Sequence, residues 1–297
     1  MTSYDDKLDA SLDLMRRLDP KNITKNLNDI CTLIQNDGSE TSEELTQDLL
    51  SSVDVPLRTQ KCDETGKEYL CCDYNRDGDS YRSPWSNKYF PVVPQDSDEL
   101  PPPFPSNILR ELEVKANDSF DIYRDLYYEG AGTSSVYFWD TNEEDDEQDT
   151  LDNGFAGVVL FKKETEDGSG KWDSIHVIEV IPEASSSATY KVTSSVILDL
   201  QNKKLSSLSL AGSLTRQLES TQSLSLDSAL NVETAHLINL GTLIEKSEYN
   251  LRNLLQDVYF DKLRDIVMKD LRSVGDLSGK ESDDKRQSEL VKGLQSL

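Results

Sequence analysis

The chain predicts an α+β protein. It has an N-terminal three-helix stalk, a small turn-rich globule, a five-stranded antiparallel sheet covered by one long helix, and a C-terminal amphipathic tail helix. Three observations carry this. Apolar residues recur three or four apart through the first 56 residues and again from Val232 to Val274, which is the helical period. From Ser134 to Leu218 the pattern is extended, in runs separated by Gly, Ser, Asn and Asp clusters, as in strands joined by short turns. Between the first helices and the strands, residues 57–105 show neither period and are rich in turn residues and proline.

In order, residues 1–56 form the stalk. Ser3 is placed to cap a helix with Leu8, Leu12, Met15 and Leu18 on one face, and Asp19-Pro20 ends it and starts another carrying Ile23, Leu27, Ile30 and Ile34. A third, with Leu45, Leu49 and Val53, ends near Pro56. Residues 57–105 hold the turn-rich globule and a linker, VPQDSDELPPPFP, that proline keeps from being helical. The segment 106–231 opens with a helix capped by Ser106, bears Leu109, Leu112, Ala116, Phe120 and Tyr123, and stops at Gly130. Its strands are SVYFWD, GFAGVVLFKK, WDSIHVIEVI, TYKVTSSVILDL and residues 205–218. In the fourth, Tyr190, Val192, Val196, Leu198 and Leu200 alternate with Lys191, Thr193, Ser195 and Asp199, so one face is apolar and needs a cover. The cover is the helix 232–274, whose stripe runs through Leu237, Leu240, Ile244, Leu251, Leu255, Val258, Leu263, Ile266 and Leu271. At about 1.5 Å per residue it would be roughly 60 Å long, beyond what one core spans. Gly275 and Gly279 break the pattern, and residues 275–297 form a separate polar tail.

The formal charge of -25 excludes a protein that grips nucleic acid or an anionic membrane through a general basic field. Cys31, Cys62, Cys71 and Cys72 lack the paired spacing of a zinc site and read as reduced thiols. No basic segment with an apolar run behind it opens the chain, and the longest apolar runs are too short to span a bilayer, so it reads as soluble and intracellular. The acidic run TNEEDDEQDTLDN reads as a solvated loop.

Several patterns mimic chemistry. In DYNRDGDSYRSP, Asp73, Asn75, Asp77 and Gly78 match the opening of an EF-hand loop, but Pro84 stands where the bidentate Glu belongs, so a tight turn is favoured over a calcium site. GSGK ends like a phosphate loop, yet Thr165 and Trp172 occupy the places of its first Gly and its Ser or Thr, which favours a hairpin turn. Asp173, Ser174 and His176 include triad residue types, but in a strand Asp173 points away from the other two. His236 reads as a surface or packing residue. The chain is therefore a binding protein, with no catalytic residue, cofactor or metal expected. In the tail, Leu290, Val291, Leu294 and Leu297 make a narrow apolar edge beside Lys285, Arg286, Glu289 and Lys292. Two readings stay open: a helix packed on its own domain, or one that docks into a partner's groove.

The block LCCDYNRDGDSYRSPWSNKY closely resembles the signature of the beta subunits of F-actin capping protein, the CapZ type. LDLMRRLDPKNITKNL, FDIYRDLYYEG, SSVYFWD, NGFAGVVLFKK, WDSIHVIEV, AGSLTRQ and YFDKLRDIVMKDLRSV follow in the family's order. The resemblance implies an obligate heterodimer with an alpha subunit, two sheets joined into one, and a long helix lying across both. Leu240, Ile244, Leu251, Leu255 and Val258 then serve sheet and heterodimer packing. It implies a dimer that caps filament barbed ends in the cytoplasmic actin cytoskeleton without calcium or nucleotide. The actin contact falls on Leu290, Val291, Leu294 and Leu297. Regulation by acidic phospholipids and capping-protein-interaction peptides is a further family trait. Two other functions remain: a scaffold subunit capping the actin-like filament of a dynactin-type assembly, or a calcium-binding regulator.

Overall fold

A computed structural model describes residues 4–18, 22–36, 38, 41–53, 55–92, 102–141, 151, 154–184, 186–201 and 211–257. They divide into a compact unit of residues 1–247 and a second of 248–297, of which 248–257 are described.

The stalk is α1 (Tyr4–Arg17), α2 (Ile23–Asn36) and α3 (Ser42–Ser52). Its core is Leu27, Ile30, Cys31 and Leu49, with Leu8, Leu12, Met15, Leu18, Ile34 and Val53 packed around them, which is the face the apolar spacing predicts. Tyr4 Oη donates to Asp48 Oδ2 at 2.7 Å and ties α1 to α3. Ser3, Asp19 and Pro20 lie outside the described residues.

The globule builds two small sheets around its turns. Strands β1 (Arg58–Lys61) and β2 (Glu68–Cys71) pair antiparallel. After a 3-10 turn at Asp73–Asn75, β3 (Arg76–Asp77), β4 (Ser80–Arg82) and β5 (Tyr89–Phe90) form the second.

Helix α4 (Asn107–Tyr127) buries Leu109, Leu112, Ala116 and Phe120 and is closed by Gly130 at φ +71, a backbone conformation that favours glycine. Ser106 takes the cap position, but its hydroxyl does not cap. Its N–H and Oγ both donate to Asp140, each at 2.8 Å, so the expected cap is instead a clasp onto the end of the first sheet strand.

The main sheet is a meander in the order β10-β9-β8-β7-β6, antiparallel throughout: β6 (Thr133–Asp140), β7 (Phe155–Glu164), β8 (Gly170–Ala184), β9 (Ser187–Gln201) and β10 (Ala211–Ser225). The fifth strand thus includes residues 211–218 of the expected 205–218 and runs on to Ser225, while residues 205–210 lie outside the described residues. Its polar second half, LESTQSLS, pairs with Ser187–Ser194 of β9 and is held by backbone hydrogen bonds, so apolar alternation does not mark it. The GSGK segment is a hairpin turn, with Gly168 at φ +65 and Thr165 N–H donating to Gly170 O at 2.9 Å.

Alternation gives the sheet two dry faces. Val136, Phe138, Phe155, Val159, Phe161, Ile178, Val180, Tyr190 and Val192 pack with α4 and with Leu240, Leu243 and Ile244 of α5 (Val232–Leu255). On the other face, Tyr137, Val158, Leu160 and Ile175 pack with Leu57 and Leu70 of the globule. Asn231 Oδ1 accepts the Thr234 N–H at 2.9 Å and caps α5. In the second unit, Leu251 and Leu255 are buried and Arg252 pairs with Glu248 at 3.3 Å.

Candidate functional site

The two edges of the main sheet are built differently. In a β-strand, alternate residues turn their backbone groups to the same side, so β6 at the sheet margin presents Val136 and Phe138 outward. Helix α4 answers both. Asn117 Oδ1 accepts the Val136 N–H and its Nδ2 donates to Val136 O, each at 2.9 Å, as a neighbouring strand would. Glu113 Oε2 accepts the Phe138 N–H at 2.7 Å. On the globule side, Leu70 N–H donates to Ser135 Oγ at 2.9 Å, and Tyr137 Oη donates to Leu70 O at 2.7 Å. The β6 edge is sealed.

Glu113 does more than seal. Arg82 grips it with two parallel bonds, Nη1 to Oε1 at 2.8 Å and Nη2 to Oε2 at 2.7 Å, and Arg110 joins the same carboxylate. The Arg82 and Glu113 side chains are only 4% and 0% exposed, so this is a buried bidentate pair joining globule, helix and sheet. Burial works against the Arg82 charge, but the Glu113 hydrogen bonds and charge more than offset it and hold its pKa above the ordinary value. Amphipathic spacing did not reveal this pair, because a Glu or Arg normally marks the wet side of an element.

At the other margin, β10 has a strand neighbour on one side only among the described residues, along Ala211–Ser225. Its residues 217–225 alternate between exposed and half-buried. It offers a long ladder of backbone donors and acceptors to another strand.

The sequence decoys resolve into packing roles. Asn75, third in the EF-hand-like run, is buried with its amide turned inward. Its Oδ1 accepts the Cys72 N–H at 2.9 Å and its Nδ2 donates to Arg82 O at 2.9 Å, so it cannot face a cation in this loop. Among the described residues, no group of three His, Cys, Asp or Glu is placed to hold a metal ion. Asp173 accepts from Lys162 Nζ and from the Leu57 N–H, each at 3.0 Å, whereas His176 meets Ser194 Oγ at 2.8 Å on the opposite face. The triad types are therefore split across the sheet. His236 is a packing residue and not a surface one, 2% exposed, with Nδ1 2.8 Å from Tyr190 Oη and its ring edge-on to Phe155.

A cavity of about 330 Å³ lies between the stalk and the globule, with Leu50, Val53 and Ile175 among its apolar walls and Arg58, Asp73 and Arg76 among its polar ones. Tyr74, another lining residue, stacks on Trp139 at 5.2 Å and is 48% exposed. Of the expected packing residues, Leu240 and Ile244 sit in the core against the chain's own sheet, and Leu251 and Leu255 are buried. Val258 and the tail residues Leu290, Val291, Leu294 and Leu297 lie outside the described residues.

Comparison with known proteins bears on a chain built this way. The family model described as "F-actin capping protein, beta subunit" matches residues 8–267. A protein called F-actin-capping protein subunit beta, from Debaryomyces hansenii, is 98% identical over 297 residues, covering 100% of both chains. Its namesake from Saccharomyces cerevisiae is 50% identical over 301 residues, covering 99% of each. A solved homodimeric actin capping protein alpha subunit from Plasmodium berghei overlays with a TM-score of 0.49 at 15% identity, covering 92% of this chain and 98% of that one. A family match over most of the chain and identity at this level leave one assignment: the chain belongs to the F-actin capping protein beta-subunit family.

Proposed function

We propose that the chain is the beta half of a heterodimer that caps actin filament barbed ends and blocks subunit addition and loss, without calcium and without enzymatic chemistry. The observation that carries this reading is the asymmetry of the sheet edges. An alpha subunit's sheet can continue this one only at β10, because α4 and the globule already occupy the β6 margin. The continuation of α5 toward Val274, through Val258, would then cover the partner's half of the joined sheet. The tail residues Leu290, Val291, Leu294 and Leu297 supply an apolar edge for a cleft on actin. A chain at -25 gains little by long-range attraction to acidic actin, so its share of the grip is apolar anchoring and the steering charge lies on the alpha subunit. The inward amide of Asn75 supports calcium independence. Interaction-motif peptides suit the cavity between stalk and globule, where apolar walls and the Tyr74–Trp139 stack adjoin Arg58, Asp73 and Arg76. Acidic phospholipids would need a local basic cluster to overcome the overall charge. The site of action is the cytoplasmic actin cytoskeleton.

Seeded actin elongation with the purified heterodimer tests the reading. Wild type should stop barbed-end growth equally with calcium or a chelator. Leu290→Ala/Leu294→Ala should release ends faster while the heterodimer elutes intact. An unchanged release rate sinks the tail assignment, and uninhibited growth with wild type sinks capping itself.

A further inference from the structure

The outer surface of the two helices over the sheet carries apolar side chains that the core does not use. Two bridges hold α4 beside α5: Lys115 Nζ with Glu233, and Tyr127 Oη donating to Glu245 Oε1 at 2.5 Å. Both pairs are separated by 118 positions in sequence, so the helices run parallel and in step between the bridges, about 18 Å at about 1.5 Å per residue. On α4, Lys115, Ile122 and Leu126 share a stripe at i, i+7 and i+11. On α5, Ile238, Gly241 and Glu245 share one at i, i+3 and i+7. Lys115 and Glu245 are the residues that reach across, so both stripes border the seam between the helices.

The seam is open and apolar. Ile122, Leu126, Tyr127 and Ile238 are 63%, 73%, 48% and 52% exposed. A Cβ placed on Gly241 would meet nothing within 4 Å, so the floor has room although a glycine inside a helix weakens it. The flanking charges are acidic: Asp118, Asp121 and Asp125 on α4, Glu233 and Glu245 on α5. The cations among them are engaged, Lys115 with Glu233 and Arg124 with both Asp121 and Asp125.

We propose that this furrow along the α4–α5 seam docks a basic amphipathic helix of a partner protein. Its apolar face would cover Ile122, Leu126 and Ile238, its backbone would approach most closely over Gly241, and its lysines and arginines would meet the acidic flanks. A second copy of this chain is the poorer occupant, because it brings another -25 to an acidic surface. The furrow uses no residue of β10 or of the tail, so the proposal stands or falls apart from the capping reading.

The test uses the intact heterodimer and a fluorescent leucine-lysine peptide with one apolar face, followed by anisotropy. A scrambled peptide of the same composition controls for charge. The amphipathic peptide should bind at least about tenfold more tightly than the scrambled one. Ile122→Ser/Leu126→Ser should weaken it about tenfold or more, and so should Gly241→Leu, which fills the floor by a different route. Ile122 and Leu126 are exposed and a side chain at Gly241 would enter open space, so melting and barbed-end capping should stay at wild-type values. Equal binding by wild type and both variants, or equal binding of the scrambled peptide, overturns the proposal. A heterodimer that doubles in mass in sedimentation, and reverts in the Ile122→Ser/Leu126→Ser variant, would give the furrow to a second copy and overturn it as well.

Discussion

Glu113 is the residue on which the three parts of the larger unit converge. It holds Arg82 of the globule, Arg110 of its own helix and the Phe138 N–H of the sheet, with no exposed surface. Removing one partner of a buried pair leaves the other charge stranded, at about 3–5 kcal/mol. Glu113→Gln should therefore lower unfolding free energy by about that amount in urea titration, and Arg82→Met/Glu113→Leu should recover part of it. A loss below about 1 kcal/mol for Glu113→Gln would mean the pair is not uncompensated when broken. Asp173 and Glu164 share Lys162 but carry opposite signs. Burial raises Asp173 above its ordinary pKa despite Lys162 and the Leu57 N–H, so its contribution is present below about pH 3.9 and is lost as pH rises through the raised value. Burial also pushes Glu164 up, but Lys162 and Lys171 more than offset it. Its contribution is present above about pH 4.3 and is lost as pH falls through the lowered value. Asp173→Asn removes only the first trend. Its stability relative to wild type should climb as pH rises from about 4, and parallel urea-midpoint curves would refute the assignment. None of this was legible in the sequence. Glu113 sits in a helix whose polar positions look solvated, and Asn75 sits in a run that looks like a calcium loop. Both are defined by backbone groups that only the fold brings near.

Among elements, those with a strong period were readable, and those held by the backbone were not. The three stalk helices and α4 follow from apolar spacing because each buries one continuous face, and β6 through β9 follow from short apolar runs bounded by turn residues. The far end of β10, Glu219–Ser225, was missed because its Thr, Ser and Gln residues carry no apolar alternation, and the Ser106 cap failed because Asp140 competes for its hydroxyl. The edges make the sharpest element-level prediction. Along Gln217–Ser223, a proline whose lost N–H faced β9 should lower stability, whereas one whose lost N–H faced outward should spare it. The outward positions alternate with the inward ones, and proline there should still cut heterodimer recovery with the alpha subunit. On the sealed side the pattern should invert. Asn117→Ala strands the Val136 N–H and C=O, and should cost about 1–3 kcal/mol of stability while heterodimer recovery per folded chain is unchanged. Outward prolines that leave both stability and recovery intact would remove β10 as the joint.

For the whole molecule, charge and the open edge act against each other. A strand edge as long as β10 is a template for any other strand, including the β10 of a second copy, and its Ser, Thr and Gln residues do little to blunt it. A net charge of -25 keeps two copies apart, but only over the distance that salt allows. Raising salt from about 0.1 M to about 1 M shortens the screening length from about 10 Å to about 3 Å, less than the spacing between neighbouring strands. The chain purified alone should then self-associate as salt rises, measured by static light scattering. The heterodimer should not, if its alpha subunit occupies the β10 edge as proposed. An outward-facing proline in β10 should also suppress the association in the lone chain, which separates edge pairing from general salting-out. If the lone chain and the heterodimer respond alike, charge does not guard this edge.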